Sequence, residues 1–340
     1  MRHSSYHTPS LPSRIGRVLL VLLCSAGVLS GGFLLLCGLG VLSPAAISQQ
    51  VSAWLHPPAA STPASAPAED LSLPEENDPF QGVFLSLDQL ADAQTLADGY
   101  DGVILPMKTA DGALGYVSAL PLAADAGASS GDPDRNEVLR ALNDTPGLYT
   151  VAQVSCLRDS ALVREEPGLS LHRVSGSPWL DESRQGWLDP AQPQVQSYLI
   201  GLCRELAQLG FDEILLDNWG YPAEGNLGYI KQGDAYDLEH LSQPVEEFLA
   251  RAEAALEPYG TRLALRSTWA VLEGDESPGG QTAQLLERYA QRVWLEAPED
   301  GMADLLSQAG LPEGEERLAL LVEELDPDLD CSQGIWDPEA

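Results

Sequence analysis

One pattern constrains the fold of this chain more than any other. From Phe80 onward, short runs of apolar, strand-prone residues alternate with stretches of helical periodicity. The runs are Gly82–Leu87, Gly102–Met107, Leu148–Ser155, Glu213–Asp217, Arg262–Ser267, Arg292–Leu295 and Arg317–Val322. Between them the spacing predicts helices near Asp88–Asp98, Asn136–Asn143, Val195–Leu209, Val245–Leu256, Gln281–Ala290 and Met302–Ala309. Cys156–Pro193 reads as one long loop. Strands that are nearly continuous in apolar residues and separated by helices belong to a parallel sheet covered on both faces. Seven such units in roughly 260 residues match the length of a (β/α)8 TIM-type barrel. Gly334–Trp336 is the only candidate for an eighth strand, so closure is expected to be short or irregular. An open doubly wound sheet is the alternative, but the glycine-rich phosphate turn it needs after the first strand is missing.

Ahead of the barrel lies a different kind of chain. Ile15–Leu42 is an apolar run interrupted only by Arg17 and small residues, long enough to cross a ~30 Å hydrocarbon core. Arg2, Arg14 and Arg17 precede or open it, and no Lys or Arg follows until Lys108. The positive-inside rule then places residues 1–14 in the cytoplasm and the barrel outside the membrane. The length favours an uncleaved transmembrane anchor, residues 15–42, over a cleaved signal peptide with its shorter apolar region. Residues 43–78 form a linker whose Ala/Ser/Pro-rich part, Pro57–Ala68, reads as a semi-extended spacer, leaving 79–340 for the barrel.

Composition excludes several functions. The chain has 18 Lys+Arg against 51 Asp+Glu. Three of the bases and none of the acids fall in the first 68 residues, so the remainder sets 15 bases against 51 acids. Such a surface repels phosphate backbones, which excludes nucleic acid as a partner. Only His172 and His240 remain for the body, too few for a multi-histidine metal site. Asp326-Pro327-Asp328-Leu329-Asp330 matches the opening of a calcium loop but has Cys331 where the loop needs glycine, so no metal site is expected. No nucleotide-binding glycine motif occurs, and no cofactor is expected. Cys156, Cys203 and Cys331 make no disulfide framework.

Barrels place their chemistry at the carboxyl ends of the strands. The fourth strand ends in Asp217, followed by Asn218, Trp219, Gly220, Tyr221 and Pro222, and alternation puts Glu213, Leu215 and Asp217 on one face. A carboxylate beside an amide and two aromatics suits a sugar: carboxylates carry out glycosidic chemistry, rings cover pyranose faces and Asn bonds hydroxyls. The competing role for Asp217 is a cap on the next element. Glu296, ending the sixth strand, is the first choice for a second carboxylate, with Asp159, Glu323 and Glu324 as competitors. Lys108, ending the second strand, reads first as an exposed lysine and second as a group that orients a carboxylate or a sugar hydroxyl. Trp179, Trp187 and Trp269 follow strands; packing is the commoner role for each, lining a cleft the alternative.

These residues carry a resemblance. Gly82–Val322 resembles bacterial glycoside hydrolase-like (β/α)8 barrels catalogued as a domain of unknown function. The strongest piece is Leu209-Gly210-Phe211-Asp212-Glu213-Ile214-Leu215-Leu216-Asp217, with Tyr221 and Pro222 matching the aromatic and the proline that follow. Lys108 with Asp111-Gly112, Leu157-Arg158-Asp159, Trp187 with Pro190, and Gly280-Gln281 support it. The chain departs from the pattern at Pro106, Gln153 and Gly220, where the family has Asp, Arg and Arg, and at Leu295-Glu296-Ala297-Pro298. The resemblance implies an exported, often membrane-anchored barrel acting on polysaccharide. The expected machinery is then Asp217 and Glu296 as catalytic pair, with Asn218, Trp219, Tyr221, Trp187, Lys108 and Asp159 as substrate contacts. A non-catalytic barrel that binds glycan or a protein of the cell envelope is the alternative.

Overall fold

The computed structural model describes residues 79–274, 279–298, 317–327, 329 and 331–336. Eight parallel strands close into a barrel in sequence order: β1 Gln81–Phe84, β2 Gly102–Lys108, β3 Tyr149–Ser155, β4 Glu213–Asp217, β5 Arg262–Arg266, β6 Arg292–Glu296, β7 Leu318–Val322 and β8 Ser332–Ile335. The barrel is closed by a short eighth strand of four residues, the first of the two expected forms of closure, and it begins two residues before the expected Gly334. Ser332–Ile335 pairs with β7 through Ala319↔Ser332 to Val322↔Ile335 and with β1 through Gly82↔Gly334. The outer helices include α1 Ala93–Leu96, α2 Pro121–Asp125, α3 Arg135–Asn143, α4 Ser160–Glu165, α5 Pro193–Gln208, α6 Ser242–Leu256, α7 Trp269–Leu272 and α8 Ala283–Tyr289. The helix expected at 302–309 and the segment 15–42 lie outside the described residues, among which no helix is long and apolar enough to cross a membrane.

The period of two sorts each strand into two cores. Ile214, Leu216, Leu263, Leu265, Val293 and Leu295 join the layer shared with the helices. Val151, Leu215, Ala264, Trp294, Ala319 and Leu321 fill the barrel interior with Phe80, Ile104 and Tyr149. Trp294 is the largest of these, and Gly334 makes room for it: a Cβ at 334 would meet Trp294 Cζ3 at 2.8 Å. At the amino ends of the strands the interior is polar. Glu213, fully buried, accepts from Arg292 Nη1 (2.6 Å), Tyr149 Oη (3.0 Å) and Trp294 Nε1 (2.8 Å), with Arg262 Nη1 at 3.7 Å. Burial, reinforced by the Glu213 charge, pushes the Tyr149 hydroxyl pKa up, so it stays protonated and remains a donor. Together these residues close the floor opposite the mouth.

Candidate active site

Three strand ends meet at the carboxyl mouth. Asp217 ends β4, Arg266 ends β5 and Glu296 ends β6. In each strand the mouth residue shares the inward alternation, as in Arg262–Ala264–Arg266 and Arg292–Trp294–Glu296. Arg266 Nη1 donates to Asp217 Oδ2 at 3.2 Å and Nη2 donates to Glu296 Oε1 at 2.6 Å. One guanidinium thus joins both expected carboxylates, using the fork that only arginine presents. The two contacts and the span of a guanidinium, two C–N bonds of about 1.33 Å, hold Asp217 Oδ2 and Glu296 Oε1 within about 8.5 Å of each other. The Arg266 guanidinium also lies over the Trp336 ring, 4.7 Å from its centroid. Trp336 in turn packs against Phe84 at 6.4 Å, so the residue following β8 roofs the apolar interior beside the charges.

The two carboxylates are held differently. Asp217, 23% exposed at its side chain, accepts from Arg266, from Gln153 Nε2 at 3.4 Å and from the Asn218 backbone N–H at 2.8 Å. Glu296 is 66% exposed, and Arg266 is its ion-pair partner; its backbone carbonyl accepts from Trp269 Nε1 at 2.8 Å. Gln153, where the resemblance implies arginine, faces Asp217 from β3, and the cation comes from Arg266 on the other side. Asn218 adopts the left-handed region (φ 49°), a conformation that asparagine enters more readily than most residues. Its Nδ2 donates to Ser155 Oγ at 3.1 Å, and its carbonyl accepts from Leu157 N–H at 3.0 Å, fixing the turn to the end of β3.

Other expected contacts lie deeper in the packing. Lys108 is not an exposed lysine: it is fully buried, paired with Asp159 at 3.0 Å, and it donates to the carbonyls of Ser155 (2.6 Å) and Arg158 (3.4 Å). Asp159 is also buried, and its Oδ1 caps α4 by accepting from Leu162 N–H at 2.8 Å. Trp219 is fully buried, donating from Nε1 to the Arg266 carbonyl at 2.7 Å. Trp187 is buried with Nε1 on Asp181 Oδ2 at 3.1 Å. Tyr221 is buried edge-on to Tyr236, 5.5 Å between centroids. All five are enclosed in the fold, and most have their polar atoms committed within it.

Sequence reasoning missed Arg266 and Trp336. The alternation in Arg262-Leu263-Ala264-Leu265-Arg266 was the available signal for Arg266, since it places both arginines inside the barrel. Among the described residues no cluster of His, Cys, Asp and Glu is arranged to hold a metal ion.

A closed parallel (β/α)8 barrel with two carboxylates and an arginine at its carboxyl mouth defines a class, the TIM-type barrels with an acidic mouth. Comparison narrows it: residues 90–297 match the family described as "Putative glycosyl hydrolase domain" (DUF4015), and the chain belongs to that family. Among solved structures, the glycoside hydrolase domain of PgaB (BpsB) from Bordetella bronchiseptica shares the fold at 14% identity and a TM-score of 0.54, over 76% of this chain and 94% of that one. A hypothetical protein from Ruminiclostridium thermocellum is 25% identical over 54% of this chain and 96% of its own, with a TM-score of 0.47. An exo-β-N-acetylglucosaminidase from Vibrio harveyi aligns at 13% identity over 73% of this chain and 41% of its own, with a TM-score of 0.49. No curated protein matches the chain significantly.

Proposed function

We propose that this glycoside hydrolase-like barrel cleaves O-glycosidic bonds in a polysaccharide or cell-envelope glycan, with Asp217 and Glu296 as its carboxylate pair. The observation that supports this is the Arg266 fork, which gathers both strand-end carboxylates at one mouth. Glycoside hydrolysis needs one carboxylate to stabilise or attack the anomeric carbon and a second to move protons at the leaving oxygen or a water. Asp217, held by three donors, takes the first role. Glu296, exposed and held by a single side-chain contact, is the arm that leaves the guanidinium to meet the leaving oxygen. A separation within about 8.5 Å fits both the retaining and the inverting geometry. Asn218 stands beside Asp217; its Nδ2 is held by Ser155 Oγ, and its Oδ1 is the atom that would accept from a sugar hydroxyl. The excess of acids over bases disfavours strongly anionic polymers, so neutral or amino-sugar glycans are the substrate class. The barrel works outside the cytoplasm, tethered by residues 15–42.

A non-catalytic glycan-binding barrel is the second reading, supported by the same guanidinium, which neutralises charge between the carboxylates and is stacked on Trp336. One experiment separates the two. The full chain in mild detergent is incubated with neutral and amino-sugar polysaccharides and assayed for new reducing ends, wild type beside Asp217→Asn. Turnover that vanishes in the folded variant is the expected result. Absence of turnover together with glycan retention unchanged by the substitution would retire the catalytic assignment in favour of the binder.

A further inference from the structure

The connection after β3 carries structure that the active-site reading does not use. It leaves the mouth at Cys156 and Leu157, whose N–H groups donate to the carbonyls of Asp217 and Asn218 at 2.8 and 3.0 Å. It then folds on itself through bridges Arg158↔Trp187, Ser170↔Leu188, His172↔Pro178 and Leu180↔Gly186. The connection after β4 joins this lobe: Arg173 pairs antiparallel with Ile230, Lys231 N–H donates to the His172 carbonyl at 2.7 Å and Val174 N–H donates to the Tyr229 carbonyl at 3.2 Å. Trp179, buried beneath, ties the two connections together by donating from Nε1 to the Asn226 carbonyl at 3.2 Å.

On this framework two large apolar side chains face solvent. Val174 is 75% and Tyr229 57% exposed, and the Val174 N–H to Tyr229 carbonyl bond holds the two residues side by side next to the Arg173–Ile230 bridge. The Arg173 guanidinium lies 5.3 Å from the Tyr229 ring centroid. Ser175 and Ser177 hydroxyls, 3.2 Å apart, edge the same turn.

We infer that Tyr229, with Val174 and Arg173, is a distal sugar-binding platform for a linear glycan running out of the mouth. With the Arg173 guanidinium over one face of the ring, the exposed remainder of Tyr229 offers an apolar surface for a pyranose, and the guanidinium and the Ser175 and Ser177 hydroxyls supply donors beside it. The platform is built from the connections that follow β3 and β4, and so lies at the same carboxyl end of the barrel as Asp217. A protein partner would need about 800 Å² on each side, far more than two apolar side chains supply. The inference rests on the reading of the barrel as glycan-directed, and it adds that the ligand is a polymer bound beyond the bond that is cut.

The test uses the full chain carrying Asp217→Asn, so that the probe survives, run through native gels cast with hydroxyethylcellulose or with glycol chitosan. Retardation in at least one gel is expected, weakened about three- to tenfold by Tyr229→Ala and restored by Tyr229→Trp, with the melting temperature unchanged. Equal retardation of the Asp217→Asn parent and its Tyr229→Ala derivative overturns the platform, as does a parent retarded by neither polymer. A concentration-dependent dimer that Tyr229→Ala abolishes in sedimentation would give the surface to a second copy and equally overturn it. The hydrolysis reading is judged separately, by reducing ends released by a chain with Asp217 intact.

Discussion

Removing the charge of Asp159 should destabilise the barrel by about 3 kcal/mol without removing any hydrogen bond of the α4 cap. The two groups of the Lys108–Asp159 pair are buried and 3.0 Å apart, and breaking a buried pair by deleting one partner costs about 3–5 kcal/mol, because the other charge stays behind uncompensated. Asp159→Asn keeps an oxygen for Leu162 N–H, and asparagine caps as well as aspartate. Lys108 also keeps the Ser155 and Arg158 carbonyls, which places the loss at the lower end of that range. In a domain of this size each kcal/mol moves the melting temperature by about 2–4 °C, so a fall of about 6–12 °C is expected. Asp159→Ala loses the cap as well, costing about 1 kcal/mol more. Lys108→Met combined with Asp159→Asn should lose less than the sum of the single changes, since no buried charge then remains. Denaturant titrations at pH 7 with unchanged slopes measure all four. An Asp159→Asn protein within about 0.5 kcal/mol of wild type would refute the reasoning and return Lys108 to the status of a solvated lysine.

Two further outcomes follow from the same structure. Burial raises the Asp189 carboxyl to about 6, with the Ala191 N–H, the Gln192 side chain and His172 pulling against it. With an unfolded value of about 3.9, this group's contribution is fully present below that value and lost as pH rises through about 6. Asp189→Asn should therefore melt higher than wild type at pH 8, with the difference shrinking through pH 6 to 5 and closing only toward pH 4, read from melting curves across that range; a constant offset would discard the assignment. Arg266→Gln frees both carboxylates, and if the catalytic pair is as proposed, kcat/KM should fall roughly hundredfold while stability changes by about 1 kcal/mol or less, as for a partly exposed ion pair. Undiminished hydrolysis by a folded Arg266→Gln protein would remove the arginine from the machinery.

The parallel barrel was readable because β2 to β7 carry the continuous apolar runs that two-sided burial demands. The eighth strand was hard to see for the opposite reason: Ser332-Gln333-Gly334-Ile335 is short and polar in composition, and its glycine is chosen by the bulk of Trp294 across the interior, a demand invisible from its neighbours in sequence. The stretch 156–193 read as loop because α4 and the isolated bridges within it are too short to show a period. Asp217 and Glu296 were legible from strand-end position alone. Arg266 was not, because an arginine at the end of a strand looks like surface until the register turns it inward toward two acids. Trp187 and Trp219 looked like platforms, yet a buried indole needs a partner for its N–H, and both found one within the fold.

The seam between the first and eighth strands has a kinetic consequence. Phe80 N–H reaches Ser332 Oγ across 252 positions of chain, and the two strands that meet there have only four residues each. Closure of so long a loop costs entropy before any ladder bond compensates it, so this junction is the last to form as the chain folds. Until it does, the eight strands make an open sheet with β1 and β8 as bare edges, the state in which one chain can pair with another. Crossing from a sealed cylinder back to that open sheet requires parting only a few ladder bonds on one side, which makes the β1/β8 seam the natural starting point for unravelling and for proteolytic attack.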